Sequence, residues 1–189
     1  MNPALTRTVV DTPVGPLTVV ASEVGLRAVL WPDDDPARVP SASGDGDGDE
    51  DPDGDGDPDG DEEGDVQAAP HPILEQTRRQ LGEYFAGERT DFDLPLDPVG
   101  TDFQRSAWDA LRAIPFGTTV SYGDQAATMG DRNKARAVGA ANGRNPISII
   151  VPCHRVVGAN GSLTGFAGGT EAKRFLLDHE RRVAGATLL

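Results

Sequence analysis

The sequence predicts an α/β N-terminal domain followed by a mainly α C-terminal domain that carries a helix-turn-helix. Three observations support this expectation. β-rich segments separated by turn sequences fill the stretch up to Trp31, a lone amphipathic helix pattern opens at Pro72, and beyond Gly100 the chain breaks into helical stretches punctuated by glycine. The 189 residues suffice for one large or two small domains with a real core. Thr90 to Gly100, with Leu94-Pro95-Leu96-Asp97-Pro98, reads as an extended connection. The expected division is 1–96 and 97–189.

Thr6 to Val10, Leu17 to Ala21 and Leu26 to Trp31 are rich in β-branched and aliphatic residues, and Thr12 to Pro16 and Ser22 to Gly25 supply turns, so an antiparallel meander is expected. From about 33 to 69 the chain degenerates into Asp, Gly, Pro and Ser. Such a stretch buries too little apolar area to offset the entropy of ordering, and a disordered acidic insertion is expected. A calcium site is disfavoured there, because neither an EF-hand loop with its closing Glu nor the nine-residue Gly/Asp repeat is present. Ile73, Thr77, Leu81 and Phe85 then mark one face of a helix ending at Gly87.

In the second half, Thr101-Asp102-Phe103-Gln104 fits a capping box, and Phe103, Ala107, Leu111 and Ile114 follow at helical spacing up to Pro115. Ser121 opens another helix, Gly130-Asp131 breaks it, and Lys134 to Asn142 forms a third that stops at Gly143. Two short helices about a glycine turn suggest helix-turn-helix. The third helix is nearly bare, with Ala135, Ala137, Gly139, Ala140 and Ala141 around Arg136. On composition alone this suits close approach to another surface and tight internal packing equally. Thr170 is placed to cap a last helix whose Ala172, Phe175, Leu176 and His179 face inward, with Glu180 beside that face.

The only cysteine, Cys153, stands in Ser148-Ile149-Ile150-Val151-Pro152-Cys153-His154-Arg155-Val156-Val157. Ile149 to Val151 read as a short buried strand that Pro152 terminates, which puts the thiol at a strand end. A lone cysteine is commonly a small buried hydrophobe. Neighbouring cations can instead favour its thiolate and raise its nucleophilicity. One cysteine excludes an internal disulfide, and His71, His154 and His179 have no metal-ligand spacing, so no metal is expected. No secretory leader pattern or membrane-length apolar run is evident, and a cytoplasmic protein is expected.

The net charge of −14 argues against a nucleic-acid partner until it is located along the chain. Residues 98–189 hold 11 Lys+Arg against 7 Asp+Glu, a net of +4, whereas residues 44–65 hold 13 acids and no base. The C-terminal half thus permits nucleic-acid binding. Fifteen Arg against two Lys, with the acidic excess, suggest adaptation to high salt.

Pro152-Cys153-His154-Arg155-Val156, with Ile149 to Val151 before it, resembles the signature of the O6-alkylguanine-DNA alkyltransferases, the methylated-DNA-protein-cysteine methyltransferases. The resemblance extends through Thr101-Asp102-Phe103-Gln104, Pro115-Phe116-Gly117, Val120-Ser121-Tyr122, Ala135-Arg136-Ala137-Val138-Gly139, Asn145-Pro146 and Leu176-Leu177-Asp178-His179-Glu180. It covers essentially all of 70–182. It implies a ribonuclease-H-like N-terminal α/β domain and a C-terminal domain with a winged-helix-like helix-turn-helix.

By the same resemblance, Cys153 is the alkyl acceptor, His154 the base that removes the thiol proton through a water, and Glu180 the carboxylate that orients and charges His154. Asn145 is the hinge to the active-site segment. Arg136 is the finger replacing an extruded base, Tyr122 lies near the guanine and the rotated phosphate, and Ala135 and Gly139 complete the DNA-facing helix. Tyr122, Val156, Phe166, Ala167 and Gly168 are the expected pocket. The implied activity is irreversible, stoichiometric transfer from O6-alkylguanine, with O4-alkylthymine a second candidate, in flipped-out duplex DNA. It requires no cofactor and a monomer suffices. Phe166-Ala167 departs from the Tyr-Ser common in the family, so a hydroxyl contact to the base is absent and backbone groups of Gly165 to Gly168 are left to supply bonds. The zinc of some animal relatives is not expected, since its cysteines are absent. A non-catalytic DNA-binding module and a Cys-His hydrolase are the alternatives from other classes.

Overall fold

A computed structural model describes residues 4–34 and 71–187. Apart from Asp33 and Asp34, the expected acidic insertion lies outside the described residues, as does the calcium reading weighed for it. Strands β1 (Thr6–Val10), β2 (Leu17–Ala21) and β3 (Leu26–Leu30) form the expected antiparallel meander in the order β1-β2-β3. Val9 pairs Thr18 and Val19 pairs Val29, with a register irregularity at Val20/Ala21. β1 is an outer strand, and its Val9 is exposed. β2 and β3 are largely buried on both faces, Val20, Ala28 and Leu30 forming a small cluster apart from the main core. Helix α1 (Pro72–Ala86) packs on β2 and β1. Proline opens α1, where its missing N–H costs nothing, and left-handed Gly87 closes it. The buried stripe is Leu74, Thr77, Leu81 and Tyr84. Ile73 and Phe85, expected at its centre, are only half-buried and flank it.

The free edge of β3 is where the two halves of the chain meet. Leu26 N–H donates to Pro95 O and Asp97 N–H to Leu26 O, both at 2.8 Å, so the connecting segment runs parallel to β3. Further along, Val29 N–H donates to Pro146 O at 2.8 Å, and Ile147 bridges Val29 in the same sense. Arg27 reaches Asp97 at 2.5 Å, and Ser22 Oγ donates to the same carboxylate at 2.6 Å. One apolar cluster runs from Leu17, Val19 and Leu81 through Trp108 and Leu111 to Ile147, Val156 and Leu176.

In the second half, α2 (Asp102–Arg112) starts with the reciprocal Thr101/Gln104 capping box and buries Ala107, Trp108 and Leu111, while Phe103 stays half-buried. A short parallel pair, β4 (Val120–Ser121) with β5 (Val156–Val157), precedes and follows the helix-turn-helix. Helix α3 (Tyr122–Thr128) has its own capping box between Ser121 and Asp124, and α4 (Ala135–Gly143) follows a single 3₁₀ turn, Arg132–Lys134. The angle between α3 and α4 is pinned by two buried amides. Gln125 Nε2 donates to Asn142 Oδ1 at 3.1 Å, and Asn142 Nδ2 donates to Gln125 Oε1 at 2.7 Å.

The last helix, α5 (Gly169–Thr187), departs from expectation twice. It begins at Gly169, so Thr170 lies inside its first turn rather than at the cap. Its buried face is Lys173, Leu176, Leu177, His179 and Glu180, which leaves Phe175 37% exposed. Two charged residues take places that an apolar pattern would assign to phenylalanine and alanine, because both find partners inside. Phe175 instead stacks on His179, at 6.3 Å and 4°.

Candidate active site

Asn145 stands just beyond α4 and ties it to the cysteine segment. Its Nδ2 donates to Val151 O at 2.8 Å, and its Oδ1 accepts from Ile147 N–H at 3.0 Å. Between these anchors the chain turns tightly. Ile150 N–H donates to Ser148 O and Val151 N–H to Ile147 O, both at 2.9 Å, and Ile149 adopts φ +74°. The strand expected at Ile149–Val151 is therefore a compact turn. Its amides close locally, and only Ile147 pairs outward, with Val29. Cys153 opens the 3₁₀ turn Cys153–Arg155 and is buried.

His154 and Glu180 are both 0% exposed, and His154 Nε2 lies 2.7 Å from Glu180 Oε1. Glu180 is not the solvated helical carboxylate that is the default reading for such a position. It accepts from Arg155 Nε at 2.9 Å and Nη2 at 3.0 Å, from Tyr84 Oη at 2.9 Å and from Gly117 N–H at 3.0 Å. Burial by itself would raise its pKa, but the hydrogen bonds of His154 and Arg155 and the Arg155 charge hold it far below the usual carboxylate range. Burial likewise pushes the phenol of Tyr84 well above its ordinary value, with the Glu180 charge adding to the effect.

Opposing influences act on the protonation of His154. Glu180 does favour the imidazolium, yet burial outweighs it, and Arg155 and Lys173 act in the same direction as burial, so the pKa of His154 falls. A lowered pKa favours the neutral imidazole. With a carboxylate on Nε2, the tautomer protonated at that nitrogen is favoured. The buried Nδ1 then presents a lone pair that meets no hydrogen-bond partner among the described residues. That arrangement suits a base.

A third charge completes the site. Lys173 Nζ donates to Val156 O at 2.7 Å and Thr164 O at 2.9 Å, and it lies 6.0 Å from the Tyr122 ring centroid. Burial lowers its pKa and a thiolate at Cys153 would oppose the shift, so Lys173 and the sulfur are electrostatic neighbours. Tyr122 Oη donates to Thr164 O at 3.1 Å, and burial raises its pKa.

The remaining expected residues fall into two groups. On α4, Val138, Ala141 and Asn142 are buried, while Arg136, Ala137 and Ala140 are exposed and Ala135 and Gly139 are half-buried. Close packing and bareness thus occupy opposite faces of one helix. Phe166 and Gly168 are half-buried and Ala167 is exposed, with the Phe166 ring edge-on to His154 at 6.4 Å. Val156 is fully buried and enters the site through its carbonyl oxygen. Reading the sequence missed Arg155, Tyr84, Gly117 and Lys173 as partners. Lys173 had a usable signal, since it lies two helical turns before Glu180 on one face. Tyr84 had none, because only tertiary packing brings it there.

Among the described residues, no group of three His, Cys, Asp or Glu could hold a metal ion, and no helix is long and apolar enough to cross a membrane. The family model for the 6-O-methylguanine DNA methyltransferase ribonuclease-like domain matches residues 5–98, and that for its DNA binding domain matches 102–182. A methylated-DNA–protein-cysteine methyltransferase of Methanosarcina acetivorans is 41% identical over 170 residues, spanning 90% of this chain and 94% of its own. A constitutive one from Bacillus subtilis is 53% identical over 120 residues, 61% of this chain and 73% of its own. The crystal structure of Mycobacterium tuberculosis O6-methylguanine methyltransferase superposes with a TM-score of 0.73 at 40% identity, covering 95% of this chain and 94% of that one. For Mycobacterium tuberculosis OGT in complex with DNA the TM-score is 0.72 at 40% identity, with 93% and 92% covered. A ribonuclease-like sheet domain and a helical DNA-binding domain, joined around a buried Cys-His-Glu arrangement, place this chain in the methylated-DNA–protein-cysteine methyltransferase family.

Proposed function

We propose that the chain repairs O6-alkylguanine in duplex DNA by moving the alkyl group irreversibly onto Sγ of Cys153. The observation that supports this most strongly is the buried imidazole of His154, next in sequence to the sole cysteine and held by Glu180 at Nε2, with Nδ1 meeting no hydrogen-bond partner among the described residues. His154 takes the thiol proton at Nδ1 through a bridging water. Sγ then forms a bond to the alkyl carbon as the carbon–O6 bond breaks. The electron pair leaves with guanine, which gains a proton and is restored. Lys173 favours the thiolate by charge, and Arg155 and Tyr84 hold Glu180 in place. A thioether has no easy hydrolytic exit, so each chain acts once and no cofactor is required.

A stacked base cannot reach a buried sulfur, so the nucleotide has to leave the helix. The bare face of α4 fits the minor groove, with Arg136 filling the gap and Tyr122 beside the extruded nucleotide. That Mycobacterium tuberculosis OGT, 40% identical to this chain, has been solved in complex with DNA supports DNA as the partner. A division into 1–96 and 97–189, and action as a monomer, belong to the same proposal. The test is to incubate the protein with an alkylated duplex and weigh it. One alkyl group on the Cys153 peptide per chain is expected, and none with Cys153→Ala. Several guanines repaired per chain would point to a hydrolase, and binding without an adduct to a DNA-binding module.

A further inference from the structure

Trp31 follows β3 and is only 5% exposed, although it belongs to the N-terminal sheet rather than to the cysteine segment. Its backbone is fixed by Asp34: Trp31 N–H donates to the carboxylate at 2.9 Å, and Asp34 N–H donates to Trp31 O at 3.0 Å. The indole N–H has no acceptor among the described residues, and among them it is packing that orients the ring. What it packs on is the 165–169 loop. Phe166 meets it edge-on at 5.4 Å and 72°. A Cβ on Gly168 would lie 2.7 Å from the indole carbons Cδ2, Cε2 and Cε3, so the glycine backbone rests on the ring face. Any side chain there would have to displace the indole.

The preceding residue of this stretch is held differently. Thr164 O accepts from Tyr122 Oη and from Lys173 Nζ, both groups in electrostatic reach of Cys153. Phe166 meets two rings edge-on, those of Trp31 and His154. Hydrogen bonds thus anchor the stretch at Thr164, and beyond it the anchor is Trp31.

We propose that Trp31 is a positioning residue for alkyl transfer: it sets Phe166 and Gly168 as the apolar wall of the base pocket and makes the N-terminal sheet part of substrate recognition. This rests on the alkyltransferase reading. With no hydroxyl on Phe166 or Ala167, the wall holds the base by shape. Loss of its backing therefore acts on capture of the base and leaves the reactivity of the thiol alone.

The experiment measures single-turnover alkylation of Cys153 by free O6-benzylguanine over a concentration series. Beside it runs the rate at which the same thiol reacts with iodoacetamide, in the full chain and in Trp31→Leu, Trp31→Phe and Gly168→Ala. Trp31→Leu and Gly168→Ala should raise the half-saturating concentration about tenfold, the worth of a lost aromatic contact. The iodoacetamide rate should stay near that of the unmodified chain, and Trp31→Phe should recover most of the loss. Unchanged guanine kinetics in the variants would overturn the proposal. So would a parallel fall of both rates that tracks thermal unfolding, which makes Trp31 a core residue only. Should Trp31→Leu fail to fold, Gly168→Ala decides, because that change sits on the half-buried loop. No adduct on the unmodified chain would instead sink the alkyltransferase reading on which this rests, whereas failure of the proposal alone leaves that control reacting.

Discussion

Glu180 has two duties that one substitution disturbs together. It orients His154, and it neutralises Arg155, whose guanidinium is also buried and donates to Ile114 O at 2.7 Å. Glu180→Gln should slow transfer about a hundredfold or more, as loss of an acid-base partner does. It should also cost about 3 kcal/mol of stability, because it leaves a buried cation without its counter-charge. Urea unfolding beside single-turnover rates separates the two, and a slow variant of undiminished stability would show that Arg155 finds another partner. The pH dependence follows from the directions of the shifts. His154 and Glu180 both have folded pKa values below their ordinary ones, 6.5 and 4.5. The unfolded chain therefore binds more protons, and the stability each contributes is full above its ordinary pKa and lost as pH falls. The urea midpoint should decline from about pH 6.5 downward and fall more steeply below about pH 4.5. A midpoint that rises between pH 7 and pH 5.5 would mean that the folded state takes up a proton on His154.

Ile149 is a β-branched residue at φ +74° and is buried. Such a backbone costs an L-residue roughly 1–2 kcal/mol, so the turn is strained and the Asn145 clamp keeps it closed. Ile149→Gly releases that strain while losing the side chain. It should therefore destabilise the fold by about 1–2 kcal/mol less than Ile147→Gly, whose side chain is equally buried without the positive φ, and comparison of the two denaturation midpoints checks this. Helix α4 makes a different prediction. Arg136 is exposed and outside the His154–Glu180 network, so Arg136→Ala should slow repair of duplex DNA while sparing the reaction with free O6-benzylguanine. Equal losses on both substrates would assign the residue to helix stability.

At this scale the sequence was legible wherever a signal is local. The Thr101/Gln104 capping box, the helix start at Ser121, the Gly87 stop and the break at Gly130-Asp131 depend on residues a few positions apart, and all of them form. The turn at Ile147–Val151 was not, because an apolar β-branched run looks the same whether its amides pair outward or close on themselves. The inward face of α5 was misread for a related reason. Lys173 and Glu180 are buried only because groups distant in sequence receive them, and hydrophobic periodicity does not encode those partners.

For the molecule as a whole, charge is the variable with the longest reach. The thirteen carboxylates of 44–65 account for nearly all of the net −14, and removing them leaves −1. In dilute buffer they repel DNA phosphates over distances comparable to the protein itself, whereas at molar salt the Debye length shrinks to about 3 Å. Deleting 44–65 should tighten DNA binding at low salt, change it little at high salt and leave transfer from free O6-benzylguanine unaltered. Binding isotherms at two salt concentrations decide it. A deletion that abolishes Cys153 reactivity in high salt would show the segment to be structural.

The bridge from Val29 to Pro146 and Ile147 means that the cysteine turn is, in hydrogen-bonding terms, one more rung on the N-terminal sheet. Tyr84, from α1, reaches Glu180 across 96 positions of sequence. A chain that can react only once is wasted if it reacts before it is complete. On the proposed mechanism the sulfur of a partly formed chain is an ordinary thiol, since its base is unheld and the wall of its pocket has no backing. Competence therefore arrives with the slow, non-local closure of the fold rather than with any local element. Thiol reactivity in this protein is in effect a certificate of finished assembly.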